Sequence, residues 1–231
     1  MADPDGVETE AVDDENVPAW RQRAVSRSLN AARSRAEKRA QRFLDAAFEL
    51  MDEKGTTDFT IQEVVDRSNQ SLRGFYQYFD GKEELLLALF EESIRESIDD
   101  LRTTVDAETD PLERLHAFVI RLHEWCDADT GRKRGKHNRR PISEFMVQLA
   151  GNHPERVRAA VAPIAELLGE LLGAANDAGE IRVTDTRRTS ALVMRMVMYS
   201  WFGNQLAPTA RLRITADETW QFLQSGLGAD T

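Results

Sequence analysis

Arg73, Tyr76, Gln77 and Tyr78 fall within six consecutive residues, and together they offer a guanidinium, an amide and two phenols. Such a set suits the edges and backbone of a nucleic acid. Arginine forks onto guanine, glutamine pairs with adenine, and hydroxyl or ammonium groups hold phosphate oxygens. On that chemistry the base-reading candidates are Gln62, Ser71, Leu72, Arg73 and Gln77, with Leu72 suited to a thymine methyl. The phosphate candidates are Thr60, Tyr76, Tyr78, Lys82, Arg35 and Arg39.

These groups need rigid elements beneath them, and the local pattern supplies two short helices joined by a turn. Thr60 and Glu63 stand at the spacing of a capping box, which starts a first helix with Ile61, Val64 and Val65 on its apolar face. Ser68-Asn69-Gln70 breaks that helix with three polar residues. Ser71 then caps a second helix expected to run from Leu72 to Phe79, with Phe75 and Phe79 on its inner face. Upstream, Ala36, Ala40, Phe43, Leu44, Ala47, Phe48 and Met51 follow the helical period, so a further helix is expected from about Arg35 to Lys54-Gly55. The three would pack around Phe43, Ala47, Phe48, Ile61, Val64, Val65, Phe75 and Phe79 as a helix-turn-helix unit.

Ser71, Phe75-Tyr76, Tyr78-Phe79 and Lys82-Glu83-Glu84-Leu85 resemble the TetR family of bacterial transcriptional regulators. In that family an aromatic–Tyr–x–His/Tyr–Phe run ends the recognition helix, and a short turn leads through a lysine into a long helix. The resemblance covers about residues 36–90; beyond them only length and an all-helical pattern agree. Asn69-Gln70 stands where the family commonly has Gly-Val, and Arg73-Gly74 where Gly-Thr is common. The resemblance implies an all-α chain with an N-terminal three-helix DNA-binding domain, followed by a helical domain for ligand binding and dimerisation. It also implies that the last two helices pair with a second copy, for which Trp220, Phe222 and Leu223 are the candidates.

A net charge of −10 is unexpected for a DNA-binding chain, but its distribution is uneven. Residues 1–19 hold seven acids and no base, whereas residues 20–42 hold eight bases and one acid, a local +7. Phosphates respond to charge within about 10 Å, so the local sign governs. Residues 1–34 are therefore expected to be a disordered, solubilising acidic tail and a basic arm; a tail that competes with DNA for the arm is the alternative. Residues 35–81 would form the DNA-binding domain and 82–231 the ligand-binding and dimerisation domain. The longest apolar run, residues 85–90, is far too short to cross a bilayer. No membrane partner or secretory signal is expected, and the single cysteine, Cys126, fits a reducing cytoplasm.

Downstream, helices are expected over 82–105, 111–127, 141–150 and 154–178, from Thr184-Asp185, and from a second capping box at Thr215 to Glu218. Phe90, Phe118, Leu122, Trp125, Phe145, Met146, Leu168, Met194, Met198 and Trp201 are the candidates for lining an effector pocket, since adaptable methionine and aromatic side chains suit apolar ligands. Residues 131–140 carry six bases and form a solvated loop or an anion site. Glu113-x-x-His116 and His123-x-x-Cys126 are single pairs without the companions a metal centre requires, so no metal, cofactor or enzymatic activity is expected. The functional expectation is a repressor that binds a double-stranded, pseudo-palindromic operator as a homodimer. Its DNA affinity would be altered by a small apolar or amphipathic effector. A helical protein-interaction module without DNA binding and a helical-bundle enzyme are the alternatives.

Overall fold

The computed structural model describes residues 18–126, 146, 148–207 and 209–228. The expected acidic tail, the basic loop and Phe145 lie outside the described residues, apart from residues 18 and 19. The described residues contain helices and connections only. The helices are α1 (Ala19–Lys54), α2 (Ile61–Ser68), α3 (Leu72–Phe75), α4 (Lys82–Asp106), α5 (Pro111–Cys126), α6 (Pro154–Asp177), α7 (Thr186–Leu206) and α8 (Ala216–Leu227). A short 3-10 turn, Ala210–Leu212, precedes α8, and residues 148–152 are helical.

The chain divides into two compact units, Met1–Arg42 and Phe43–Thr231. In the first, the described part is helical from Ala19 onward, so the helix begins well before the Arg35 start suggested by apolar spacing. Alanine and arginine are strong helix formers, and they extend the helix without needing large apolar side chains. Every described residue of this unit is exposed except the half-buried Ala36 and Ala40.

The second unit opens with a small core. Phe43, Ala47, Phe48, Met51, Val64, Val65 and Phe75 are buried, with Phe79 beside them; Ile61 is only half-buried. Phe59, which the helical pattern had not singled out, is buried too. It precedes the cap at Thr60, and with buried Val64 it occupies the two positions of a hydrophobic staple. At the end of α1, Gly55 takes the left-handed conformation at φ 65°, and its N–H donates to the Met51 carbonyl.

Both capping boxes form as expected, at Thr60 with Glu63 and at Thr215 with Glu218. Asp110 caps α5, its Oδ1 accepting from the amides of Leu112 and Glu113 at 3.0 Å each. Helix α5 is the hub of the larger core, packing against α4, α6, α7 and α8. Leu101, Leu115, Phe118, Leu168, Val197 and their neighbours fill the interior.

Candidate nucleic-acid interface

The reading head is fixed by three aromatic rings. Phe43 packs edge-on to Phe75 and Phe79 at centroid distances of 5.5 and 6.2 Å, and Phe75 and Phe79 lie 5.4 Å apart. Edge-to-face contacts of this kind add specific geometry to apolar burial. They lock the inner side of the second helix, which leaves its other side outward.

The turn into that helix depends on Asn69. Its φ of 51° and ψ of 44° are left-handed, and the amides of Asn69 and Gln70 donate to the carbonyls of Asp66 and Val65 at 3.2 Å each. This is a Schellman closure of α2. Asparagine is among the few side chains that tolerate that region, so it serves where glycine is common in similar proteins. Ser71 caps the next helix, its Oγ accepting from Gly74 N at 3.0 Å.

The recognition helix is shorter than its expected span over 72–79. Regular α-helix ends at Phe75, and the chain continues in tight turns. The amides of Gln77 and Tyr78 donate three residues back, to Gly74 and Phe75, at 3.3 and 2.9 Å, and Phe79 N also reaches the Phe75 carbonyl at 3.0 Å. Glycine at 74 and the run of bulky aromatics are poor helix formers, and three-residue bonds tighten the end.

Leu72 and Tyr76 stand outward, 44% and 53% exposed, and Arg73 and Gln77 are exposed beside them. Tyr78 is half-buried, with its ring 6.4 Å from that of Phe43. Three other candidates have local duties. Gln62 Nε2 donates to Asp66 Oδ1 at 2.7 Å, Ser71 holds its cap, and Thr60 is engaged with Glu63 through both its amide and its hydroxyl. The outward set that remains is Leu72, Arg73, Tyr76 and Gln77. In the first unit, Arg35 and Arg39 are exposed on α1.

Glu63 joins the two helices beneath the head. Its carboxylate accepts from Lys54 Nζ at 2.7 Å and from the Thr60 amide at 2.8 Å. Those bonds, the lysine's first, hold its pKa down to about 2. Arg67 forks onto Glu53 at 2.8 and 2.7 Å and tightens the same packing; the Glu53 bond is the main cause raising the arginine's pKa.

Lys82 opens α4 directly after the aromatic run, its Nζ 4.9 Å from the Phe59 ring centroid. The next two residues are acids, which would oppose a phosphate there. Both are engaged by residues at the entry to α6. Asn152 Nδ2 donates to Glu83 Oε1 at 2.5 Å, and Arg156 Nη1 donates to both Glu84 oxygens at 2.8 and 3.0 Å. Arg156 also forks onto Glu91 at 3.0 and 3.1 Å, and its pKa is raised by these partners, Glu84 first. His153 Nε2 is 3.3 Å from Glu83 Oε1, at ion-pair distance but not aligned as a hydrogen bond. The composition held no hint of this clamp, because its partners are 65 to 72 residues apart in the chain.

The effector candidates divide. Phe90, Phe118, Leu122, Leu168 and Met194 are buried, and all but Phe90 belong to one apolar cluster, with Trp125 and Met198 packed against it. Met146 is half-buried. The Trp125 indole donates to Asp100 Oδ2 at 3.2 Å, and Asp100 is held by Arg121 at 2.7 and 2.8 Å, so this tryptophan belongs to a polar network between α4 and α5. Trp201 lies within α7.

The dimer candidates divide as well. Trp220 and Leu223 turn into the chain's own core, and Trp220 stacks on His116 at 4.7 Å. A nearby imidazole covers the indole that was expected to need a partner copy. Phe222 alone of the three faces outward, 70% exposed. The helical period of α7 held a further signal: Leu192 and Tyr199, seven residues apart, are 59% and 58% exposed on one face.

Among the described residues there is no group of three metal-ligating side chains and no helix long and apolar enough to cross a membrane. Residues 43–89 match the family model described as bacterial regulatory proteins, tetR family. Over 81 residues the chain is 28% identical to the HTH-type transcriptional regulator BetI of Brucella anthropi, covering 35% of this chain and 42% of that protein. The chain thus spans less than half the length of the curated relatives it matches. Two solved structures share the fold over far more of the chain. RolR in complex with resorcinol aligns at a TM-score of 0.64 and 19% identity, over 85% of this chain and 91% of that one. FadR from Bacillus subtilis in complex with stearoyl-CoA aligns at 0.61 and 17%, over 80% and 98%. The matched segment spans the three-helix head built above, so residues 43–89 carry the helix-turn-helix domain described for the tetR family of bacterial regulatory proteins.

Proposed function

We propose that the chain is a transcriptional regulator, acting as a repressor. It binds a pseudo-palindromic operator as a homodimer, and a small apolar or amphipathic effector alters its DNA affinity. The observation that carries this reading is the outward set Leu72, Arg73, Tyr76 and Gln77, on α3 and the turn that follows it, with the inner side anchored by Phe43. That face presents a guanidinium and an amide to base edges, and it is too short to read more than a few base pairs. A two-fold partner doubles the contact and spaces the half-sites about one helical turn apart. Leu192, Tyr199 and Phe222 offer the apolar surface for that partner.

Helix α4 is the lever from effector to DNA. Its first residue, Lys82, is a phosphate candidate, and its first turns are tied through Glu83, Glu84 and Glu91 to residues 152–156. An effector that prefers the dimer with misplaced heads would weaken DNA binding about 5–150-fold for a coupling of about 1–3 kcal/mol. FadR holding stearoyl-CoA and RolR holding resorcinol support an amphipathic or apolar ligand in a fold of this kind.

Selection of bound sequences from random duplex DNA, run with wild type and with Arg73→Ala, tests the base-reading role. The variant is expected to lose about 1–3 kcal/mol on its preferred sequence and to relax one base position. An unchanged preference would remove Arg73 from the reading face.

A further inference from the structure

We infer that the helical segment 19–42 is a second nucleic-acid contact, in which one cationic face holds duplex backbone without regard to sequence. This rests on the DNA-binding function proposed above and adds a surface that base reading does not require. The segment carries eight bases, all exposed, and one acid, Glu37. That acid is bonded to Arg33, whose Nε donates at 2.7 Å. At about 100° per residue, the other seven bases fall within a sector roughly 160° wide. Val25, Leu29, Ala32, Ala36 and Ala40 lie on the opposite side. The base that strays from the sector is thus Arg33, which bonds Glu37, and the segment's single acid lies off the cationic face.

Such a face fits a regular polyanion. Twenty-four helical residues span about 36 Å, close to one turn of duplex. Because the segment is already helical, its cations meet phosphates without the ordering cost of a flexible arm. The opposite face is mainly alanine, with Val25 and Leu29 its only large apolar groups, and Trp20 falls inside the cationic sector. That composition inserts poorly into a bilayer and favours duplex over an anionic lipid surface.

The test uses the full chain with Arg21, Arg23 and Arg27 changed together to Gln, and a second variant with the same three changed to Lys. Both replacements keep high helix propensity, and circular dichroism checks that the helix is retained. Affinity for a random-sequence duplex is measured by fluorescence anisotropy across a potassium chloride series. The Gln variant is expected to lower the slope of log affinity against log salt by about 2–3, at roughly 0.9 per phosphate contact. The Lys variant should keep the wild-type slope, and neither should alter the sequence preferred in a selection. A wild-type slope in the Gln variant would overturn the inference, as would a loss confined to vesicles of phosphatidylserine. Failure of base reading looks different: no sequence is enriched, while the slope still falls with the three arginines.

Discussion

Arg73 and Lys82 both carry positive charge, yet they stand in different surroundings, and the proposed function gives them different work. Arg73 stands free on the outer side of a helix pinned by Phe75, while Lys82 sits at the junction with α4, over the ring of Phe59. An arginine on the reading face discriminates among bases; a lysine at a helix start meets a phosphate present in every sequence. Lys82→Ala is therefore expected to weaken binding to all duplexes alike and to lower the salt slope by about 1, measured by anisotropy at several salt concentrations. A change in preferred sequence would place Lys82 on the bases instead. The outward placement of Leu72, Arg73, Tyr76 and Gln77 was legible in the chain because types and spacing are local properties. Availability was not, since Thr60 and Ser71 have the right chemistry but are held by their own helix caps.

Among the elements, the join between α1 and α2 rests on Glu63, which caps α2 and receives Lys54 from the end of α1. Its pKa of about 2 lies below the ordinary 4.5, so the unfolded chain takes up this proton more readily than the folded one. The carboxylate's contribution to stability is whole above about pH 4.5 and is lost as the pH falls toward 2. Wild type should therefore lose thermal stability more steeply across that window than Glu63→Gln, with the gap between them narrowing as the pH drops. Parallel curves in a calorimetric series would show that the Lys54 bond does not matter to folding. Both capping boxes were readable in advance because each needs only four consecutive residues. The start of α1 at Ala19 was not, because alanine and arginine build a helix without an apolar stripe of large side chains. Likewise, the pairing of Arg156 with Glu84 and Glu91 joins distant parts of the chain, beyond the reach of periodicity.

For the whole molecule, the fold class followed from spacing, but the direction of individual side chains in the last helices did not. Trp220 and Leu223 face inward because α5 supplies His116 and an apolar floor, a tertiary fact that no single helix reveals. Leu192, Tyr199 and Phe222 remain exposed, and the proposed dimer would use them for its partner copy. Leu192→Glu with Tyr199→Glu should shift the chain to monomer in sedimentation velocity while its helical signal is kept; an unchanged dimer would move the interface elsewhere. The most direct measurement of the central claim is selection of bound sequences from random duplex DNA by the wild-type chain. A paired head predicts enrichment of a pseudo-palindrome with half-sites about one helical turn apart. Recovery of unenriched sequences, or of no duplex at all, would contradict it.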